Sequence, residues 1–340
     1  MIEALTYDDV LLLPHYSDIR SRSEVDISTD LGNGLQLGLP IISSPMDTVT
    51  EDLMARAVSE EGGCSVIHRY NTEDEQAELV HVAKTKGAEN VGFAVGLGND
   101  LISRSRKCLD VGADFICVDV AHGHHIMMKE ALEKLRAIFG SSIHIMAGNV
   151  ATLAGVNSLA DWGANSVRCN IGGGSICSTR VQTGHGHPGL QTIIDCSFAD
   201  RDVKIIADGG IRNSGDIVKA LAAGADAVML GSLLSGTKET PGEVYTRQDG
   251  TKYKTYRGMA SKEAQVEWRG RYSSFEGVSS TVPYRGKVRN VLADLDRGIR
   301  SGLSYSGVRA IEELQRTAEF VRQTPAGLGE SRTHITTRKW

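Results

Sequence analysis

A closed (β/α)₈ TIM barrel, built as a single α/β domain, is the fold that this 340-residue chain predicts. Three observations carry that expectation. Eight short apolar runs recur along the chain. Most begin roughly 22–28 residues apart, the length of a strand followed by a helix and its turns. Finally, no G-x-G-x-x-G follows the first run, as the competing doubly wound open sheet would favour.

The runs are Pro40–Ser44, Cys64–His68, Val91–Val95, Phe115–Asp119, Ile143–Ala147, Asn165–Cys169, Val203–Ala207 and Asp226–Leu230. They are apolar almost throughout rather than alternating, as parallel strands covered on both faces require. Helical patterns separate them. One is Ile126–Ile138, which puts Met127, Leu132 and Leu135 on one side and charges opposite. The repeated Val111-Gly-Ala-Asp114 and Ala223-Gly-Ala-Asp226, with Gly163-Ala-Asn165 as a variant, read as helix stops leading into the next strand. Past the eighth run, Glu243–Lys254 reads as a hairpin about Asp249-Gly250, and Thr255–Pro283 as a mobile flap rich in serine, glycine and charge. Hairpin and flap together cover about 243–283. Val288–Gln315 is helical, and a polar tail occupies about 323–340. The expected organisation is one barrel domain over 1–340 with no inserted regulatory module.

Composition narrows the function classes. A net charge of −5 and a pI near 6.1 leave no basic footprint for nucleic acid. No apolar run reaches membrane-spanning length, and the N-terminus lacks the basic and apolar regions of a secretion signal. Six cysteines are scattered without a C-x-x-C pair, which argues against a zinc site or a disulfide scaffold. A reduced, cytoplasmic protein is the expectation.

The chemistry should lie just past the C-terminal end of each strand, where barrels of this class place their sites. The richest such segment is Asn170-Ile-Gly-Gly-Gly-Ser-Ile-Cys-Ser-Thr-Arg180. Its glycines allow a loop to close over an anion. Cys177 stands among Ser175, Ser178, Thr179 and Arg180, a setting in which a thiolate nucleophile can form. The competing reading is a glycine-rich turn with a small buried cysteine. Asp208-Gly-Gly-Ile-Arg212 and Leu230-Gly-Ser-Leu233 follow the seventh and eighth runs, the corner that commonly binds phosphate in such barrels. There Asp208 suits ribose hydroxyls, while Gly209, Gly210, Gly231 and Ser232 permit close approach of a phosphate. His185 and His187, in the long connection after Cys177, read as solvated turn residues. The other five cysteines read as packing residues.

These residues resemble the IMP dehydrogenase/GMP reductase family over essentially the whole barrel. Tyr7–Pro14 looks like its opening segment, Ile42–Thr50 like its first strand and nucleotide loop, and Ile171–Arg180 like its cysteine loop, with Gly173 where proline is usual. Ala207–Gly210, Met229–Ser232 and Tyr256–Met259 look like its phosphate, ribose and base contacts.

The resemblance implies roles. Cys177 would attack C2 of a purine ring, with Thr179 and Glu276 moving protons. Ser44, Met46, Ser175, Asp208, Gly210, Gly231, Ser232, Tyr256, Gly258 and Met259 would hold the nucleotide. Asp119, Ala121, His122, Gly123, His124, Asn149 and Arg180 would border a nicotinamide cofactor. Carbonyls of Gly172, Gly174 and Cys177 would hold a monovalent cation such as K⁺. Glu330-Ser-Arg332 resembles a segment that completes this cation site from a neighbouring subunit, implying a homotetramer.

Two reactions compete within the family. The reductase converts GMP into IMP and ammonia with NADPH, and the dehydrogenase oxidises IMP with NAD. The missing regulatory module and the short stretch between Met259 and Glu276 point to the reductase. Ser43–Met46, Val282–Arg285, Ala326–Ser331 and the pair Arg271-Tyr272 look dehydrogenase-like. A flap too short to close over a thioimidate leaves no positioned base for water, so GMP reductase is the reading, with IMP dehydrogenase as the alternative. A barrel that binds nucleotide without turnover, and a flavin-dependent barrel, would share the phosphate corner.

Overall fold

The structure is a computed structural model that describes residues 3–272 and 275–331. Arg332, the end of the motif expected to complete the cation site, and the rest of the tail lie outside the described residues.

All eight expected runs form strands: β1 Ile41–Ser43, β2 Cys64–Ile67, β3 Val91–Val95, β4 Phe115–Asp119, β5 His144–Val150, β6 Ser166–Cys169, β7 Lys204–Asp208 and β8 Ala227–Leu230. Each pairs in parallel with the next, and β8 pairs with β1 to close the barrel. Alternation along each strand divides the core in two. Phe115, Cys117, Met146, Ile206 and Met229 point into the barrel, where they meet Leu31, Leu35 and Leu37 from the Thr29–Asp30/Gln36–Leu37 hairpin that plugs its lower end. Ile116, Val118, Ile145 and Ala207 point outward against the helices. Each such fully buried aliphatic or aromatic side chain contributes about 1.5–3 kcal/mol.

The helices that cover this surface are α1 Asp52–Glu60, α2 Glu73–Thr85, α3 Leu101–Asp110, α4 Ile126–Phe139 and α5 Leu153–Asp161. They continue as the short α6 Thr179–Thr183, then α7 Gly189–Cys196 and α8 Ser214–Ala222. In α4 the inward stripe is Met128, Leu132 and Leu135, an i, i+4, i+7 series, whereas Met127 is 47% exposed. The expected Met127 falls one position off that stripe. The Gly-Ala-Asp repeats do end helices: Gly112, Gly163 and Gly224 have φ of +100°, +109° and +107°. The residue two places on has a second task. Asp114 accepts from the Val91 N–H at 2.7 Å, Asn165 from Ile145 at 2.8 Å and Asp226 from Ile205 at 2.7 Å, each tying one strand's start to the next.

The segment expected to be a hairpin and mobile flap carries regular structure over most of its described residues. Strands β9 Tyr245–Thr246, β10 Lys252–Arg257 and β11 Ser279–Pro283 form an antiparallel sheet, and α9 Lys262–Arg269 lies between the last two. Its polar composition reflects the exposed outer face of a small sheet, and buried Lys254 anchors it by donating to the carbonyls of Thr237 and Thr240. The expected helix Val288–Gln315 is two helices, α10 Val288–Tyr305 and α11 Ile311–Thr317, parted at Gly307 with φ +70°. No helix among the described residues is long and apolar enough to cross a membrane.

At the lower rim, His144 is buried with its two ring nitrogens 3.0 Å from the Gly32 carbonyl and 2.8 Å from the Ser166 hydroxyl. The neutral ring satisfies both partners by donating to the first and accepting from the second. Burial pulls its pKa down to about 4. Because the unfolded chain takes up this proton near pH 6.5 and the folded chain does not, stability is lost as pH falls from about 6.5 towards 4, by up to about 3 kcal/mol. Urea unfolding midpoints at pH 7 and pH 5 should show the loss, and His144→Gln should flatten the difference. An unchanged slope in that variant would contradict it.

Candidate active site

At the C-terminal ends of the strands lies a cavity of about 320 Å³ that draws residues from seven of the eight strand ends, all but that of β3. It is lined by Ser44, Met46, Ser175, Asp208, Gly210, Gly231, Ser232, Tyr256, Gly258 and Met259, and by Cys177, Thr179 and Glu276. Asp119, Ala121, Asn149, Gly172 and Gly174 also line it. Of the residues expected around a nucleotide, all are brought together here.

The cysteine loop begins where β6 ends. Gly172 (φ +78°) turns the chain, and Gly209 and Gly210 (φ +88° and +78°) turn the loop after β7 beneath it. A Cβ on Gly209 would stand 3.3 Å from the Gly174 nitrogen, so the two loops interlock backbone to backbone. A Cβ on Gly173 would fall 2.1 Å from the Asn170 side-chain nitrogen, which itself donates to the Gly209 carbonyl at 3.2 Å. The proline usual at that place in the family would have to displace the Asn170 side chain from this position.

Cys177 is exposed, while the other five cysteines are buried. Its sulfur lies 3.1 Å from the Thr179 hydroxyl, which donates to the Glu276 carboxylate at 2.8 Å. Backbone bonds from Ser178 N to Glu276 O (2.9 Å) and from Val278 N to Ile176 O (3.0 Å) lash this loop to the chain entering β11. Thiol, hydroxyl and carboxylate thus form a continuous proton path across two distant segments.

Beneath the cavity, buried Arg168 joins two carboxylates. It reaches Asp119 at 2.6 Å and Asp208 at 2.8 Å, and Asn149 donates to the same Asp208 oxygen at 2.8 Å. Burial by itself would raise the Asp119 pKa, but Arg168 and then Arg69 outweigh it and hold the carboxyl below the ordinary range. Arg168 is held charged by the same two partners against its own burial. The phenol of Tyr256 is pushed up to about 12, chiefly by burial, so it stays a neutral donor. The second oxygen of Asp208 accepts from no group among the described residues.

Beside this cavity is a larger, mainly apolar one of about 850 Å³, and the two share Ala121, Ile171, Thr179 and Glu276. His122, His185, His187 and Phe198 also line it. His187 is half-buried and bonds the Thr192 hydroxyl, so it is a wall residue rather than the solvated turn residue expected, whereas His185 lines the cavity while staying exposed and bonded to Thr183 in its own turn. Three residues expected at a cofactor are elsewhere occupied. Arg180 donates to the carbonyls of Ile171 and His187, with its stem packed over Gly172 and Gly186, so it braces the loop. Gly123 lines neither cavity, and its N–H donates to the Asn149 carbonyl at 2.7 Å. His124 packs near Trp162.

Two lining residues escaped the sequence reading: Tyr70 and Arg168. For Arg168 a signal was present, since it is a full charge inside the apolar run Asn165–Cys169. Gly148 makes its room, for a Cβ there would meet the Arg168 Cβ at 2.6 Å.

The sequence model of the IMP dehydrogenase / GMP reductase domain matches residues 4–334. The chain belongs to this family. Similar relatives include inosine-5'-monophosphate dehydrogenases from Nitrosopumilus maritimus, 33% identical with 98% of each chain covered, and from Cryptosporidium parvum, 36% identical with 98% of this chain and 95% of the relative covered. The first alignment runs over 469 residues against 340 in this chain, so that relative carries residues with no counterpart here. Among solved structures, a cysteine-to-alanine variant of GMP reductase from Trypanosoma brucei in complex with guanosine 5'-monophosphate superposes with a TM-score of 0.92 at 31% identity, with 98% of each chain covered. As a member of the IMP dehydrogenase/GMP reductase family, the protein is an oxidoreductase acting on purine nucleotides with a nicotinamide cofactor.

Proposed function

We propose that this chain is a GMP reductase, converting GMP into IMP and ammonia with NADPH. The observation that carries the reading is the path Cys177–Thr179–Glu276, whose carboxylate end sits on the wall shared by the two cavities. Arg271 and Tyr272, the pair that would activate water in a dehydrogenase, line neither cavity, and the Tyr272 ring lies under Lys262 and beside Phe275.

In the first cavity the purine ring of the nucleotide lies against Met46, Gly258 and Met259, and the ribose meets the open oxygen of Asp208. Its phosphate rests against Gly210, Gly231, Ser232 and the Tyr256 hydroxyl. The Cys177 thiol gives up its proton through Thr179 to Glu276, and the thiolate adds to C2, making that carbon tetrahedral. The C2–N bond then breaks, with Glu276 passing a proton through Thr179 to the departing amine, so that ammonia leaves and a thioimidate remains. When bound, NADPH supplies the hydride that reduces C2. Collapse of the C2–S bond returns the thiolate and frees IMP. The nicotinamide end of NADPH would be held near Asp119, Ala121 and Asn149, beside the junction of the two cavities.

The monovalent cation fits the loop in part. Among the described residues no donor reaches the carbonyls of Gly172 and Cys177, and the Gly174 carbonyl accepts only the Cys177 N–H at 3.1 Å. Three such oxygens would hold one side of a K⁺ ion, and a homotetramer would bring the remaining ligands from the Glu330–Ser331 end of a neighbour. The ion's part would be to stiffen the cysteine loop.

A second reading, IMP dehydrogenase, is favoured by the name carried by the curated relatives. The deciding experiment supplies purified protein with each nucleotide–cofactor pair. Oxidation of NADPH that depends on GMP and releases ammonium supports the reductase; NADH formed from IMP, with none of that activity, overturns it. Glu276→Gln should cut kcat by about 10²–10³-fold with KM changed less than about threefold, because it removes the proton but keeps the shape. A KM effect alone would show that Glu276 only binds.

A further inference from the structure

The loop Gly258–Ala260, which forms part of the nucleotide cavity, is held by a neighbouring wall residue with no assigned part. The Tyr70 hydroxyl, at the end of β2, donates to the Met259 carbonyl at 2.6 Å. Its ring is stacked on Trp268 of α9, with centroids 4.2 Å apart and planes at 11°. The Arg69 guanidinium lies 5.6 Å from one ring and 5.8 Å from the other, and Arg269 caps Trp268 at 5.1 Å. The Met259 sulfur accepts from the Asp47 N–H at 3.3 Å, which fixes the loop on its other side.

In a trans peptide, the C=O and the following N–H point in opposite directions. Pinning the Met259 carbonyl towards Tyr70 therefore aims the Ala260 N–H away from it. Among the described residues neither the Met259 nor the Ala260 N–H has an acceptor, and both residues line the cavity. An unpaired donor held rigidly beside the purine position suits a 6-oxo oxygen and not a 6-amino group.

We infer that Tyr70, clamped by Trp268, is a positioning residue that presents the Met259–Ala260 peptide to the base and so sets selectivity for 6-oxopurine nucleotides. The inference rests on the reading that this cavity takes a purine nucleotide. Tyr70→Phe keeps the stacked ring and removes only the hydroxyl. Calorimetry on the whole protein should show GMP and IMP binding weakened about 3- to 10-fold, the worth of one hydrogen bond. Ribose 5-phosphate, which reaches only Asp208 and the phosphate corner, should bind unchanged. The ratio of GMP to 2,6-diaminopurine ribonucleotide affinity should narrow by a similar factor. Trp268→Leu, which takes away the platform, should give the same selective loss.

Equal weakening of GMP and ribose 5-phosphate would mean a merely structural role and overturn the inference, as would no weakening of either. If the wild-type protein binds ribose 5-phosphate but no purine nucleotide, the functional reading fails first and takes this one with it. GMP bound by the wild type and held equally well by both variants sinks the Tyr70 role alone.

Discussion

Replacing Cys177 with alanine is expected to lower turnover by about 10⁴-fold or more while leaving GMP affinity within about threefold of the wild type. The sulfur is the one exposed thiol among the six, and its neighbours Thr179 and Glu276 make a path for protons but offer no second nucleophile. All but Ser175 of the nucleotide contacts come from other loops, and the substitution leaves Ser175 in place, so binding should survive. Two measurements check it: steady-state rates with each nucleotide–cofactor pair, and acid quenching with labelled nucleotide to trap the adduct in the wild type. Turnover retained by the alanine variant would refute covalent chemistry at this position.

The second large effect concerns stability. Arg168→Met should destabilise the fold by about 3–5 kcal/mol, because it removes a buried cation and leaves Asp119 and Asp208 as neighbouring half-buried carboxylates with only the more distant Arg69 beside Asp119. Their mutual repulsion then raises at least one acid, so the loss should shrink below about pH 5, where protonation relieves it. Nucleotide affinity should fall as well, since Asp208 loses its orientation. Chemical unfolding across pH 4 to 8 gives the answer. A midpoint equal to the wild type at pH 7 would show that water or rearrangement replaces the guanidinium, and that the bridge holds nothing.

Much of this architecture was legible beforehand, and for physical reasons. A strand covered on both faces must be apolar throughout, so the eight runs stand out without knowledge of their partners. Helix stops stand out because Gly112, Gly163 and Gly224 must adopt positive φ. The cysteine loop was visible because its glycines, hydroxyls and thiol are adjacent in the chain.

What misled the reading has causes of the same kind. The stretch after β10 looked like a flap because α9 and β11 are short and mostly exposed, leaving little apolar pattern to read. Met127 and Met128 offer the same side chain one step apart, and only the seating of α4 on the barrel chose the second. Arg180 looked available for a cofactor, yet carbonyls of its own loop claim it.

The chain alone determined the strand count, the order of loops along the rim and the place of the reactive sulfur, since each is written in neighbouring residues. Only the closed barrel decided that Arg168 lies between Asp119 and Asp208, that Glu276 completes the path from Cys177, and that Tyr70 reaches Met259. Those partners are 40 to 189 positions apart. Parallel strands aim all their C-terminal loops at one rim, so residues remote in sequence become neighbours there, and no local pattern records which of them will meet.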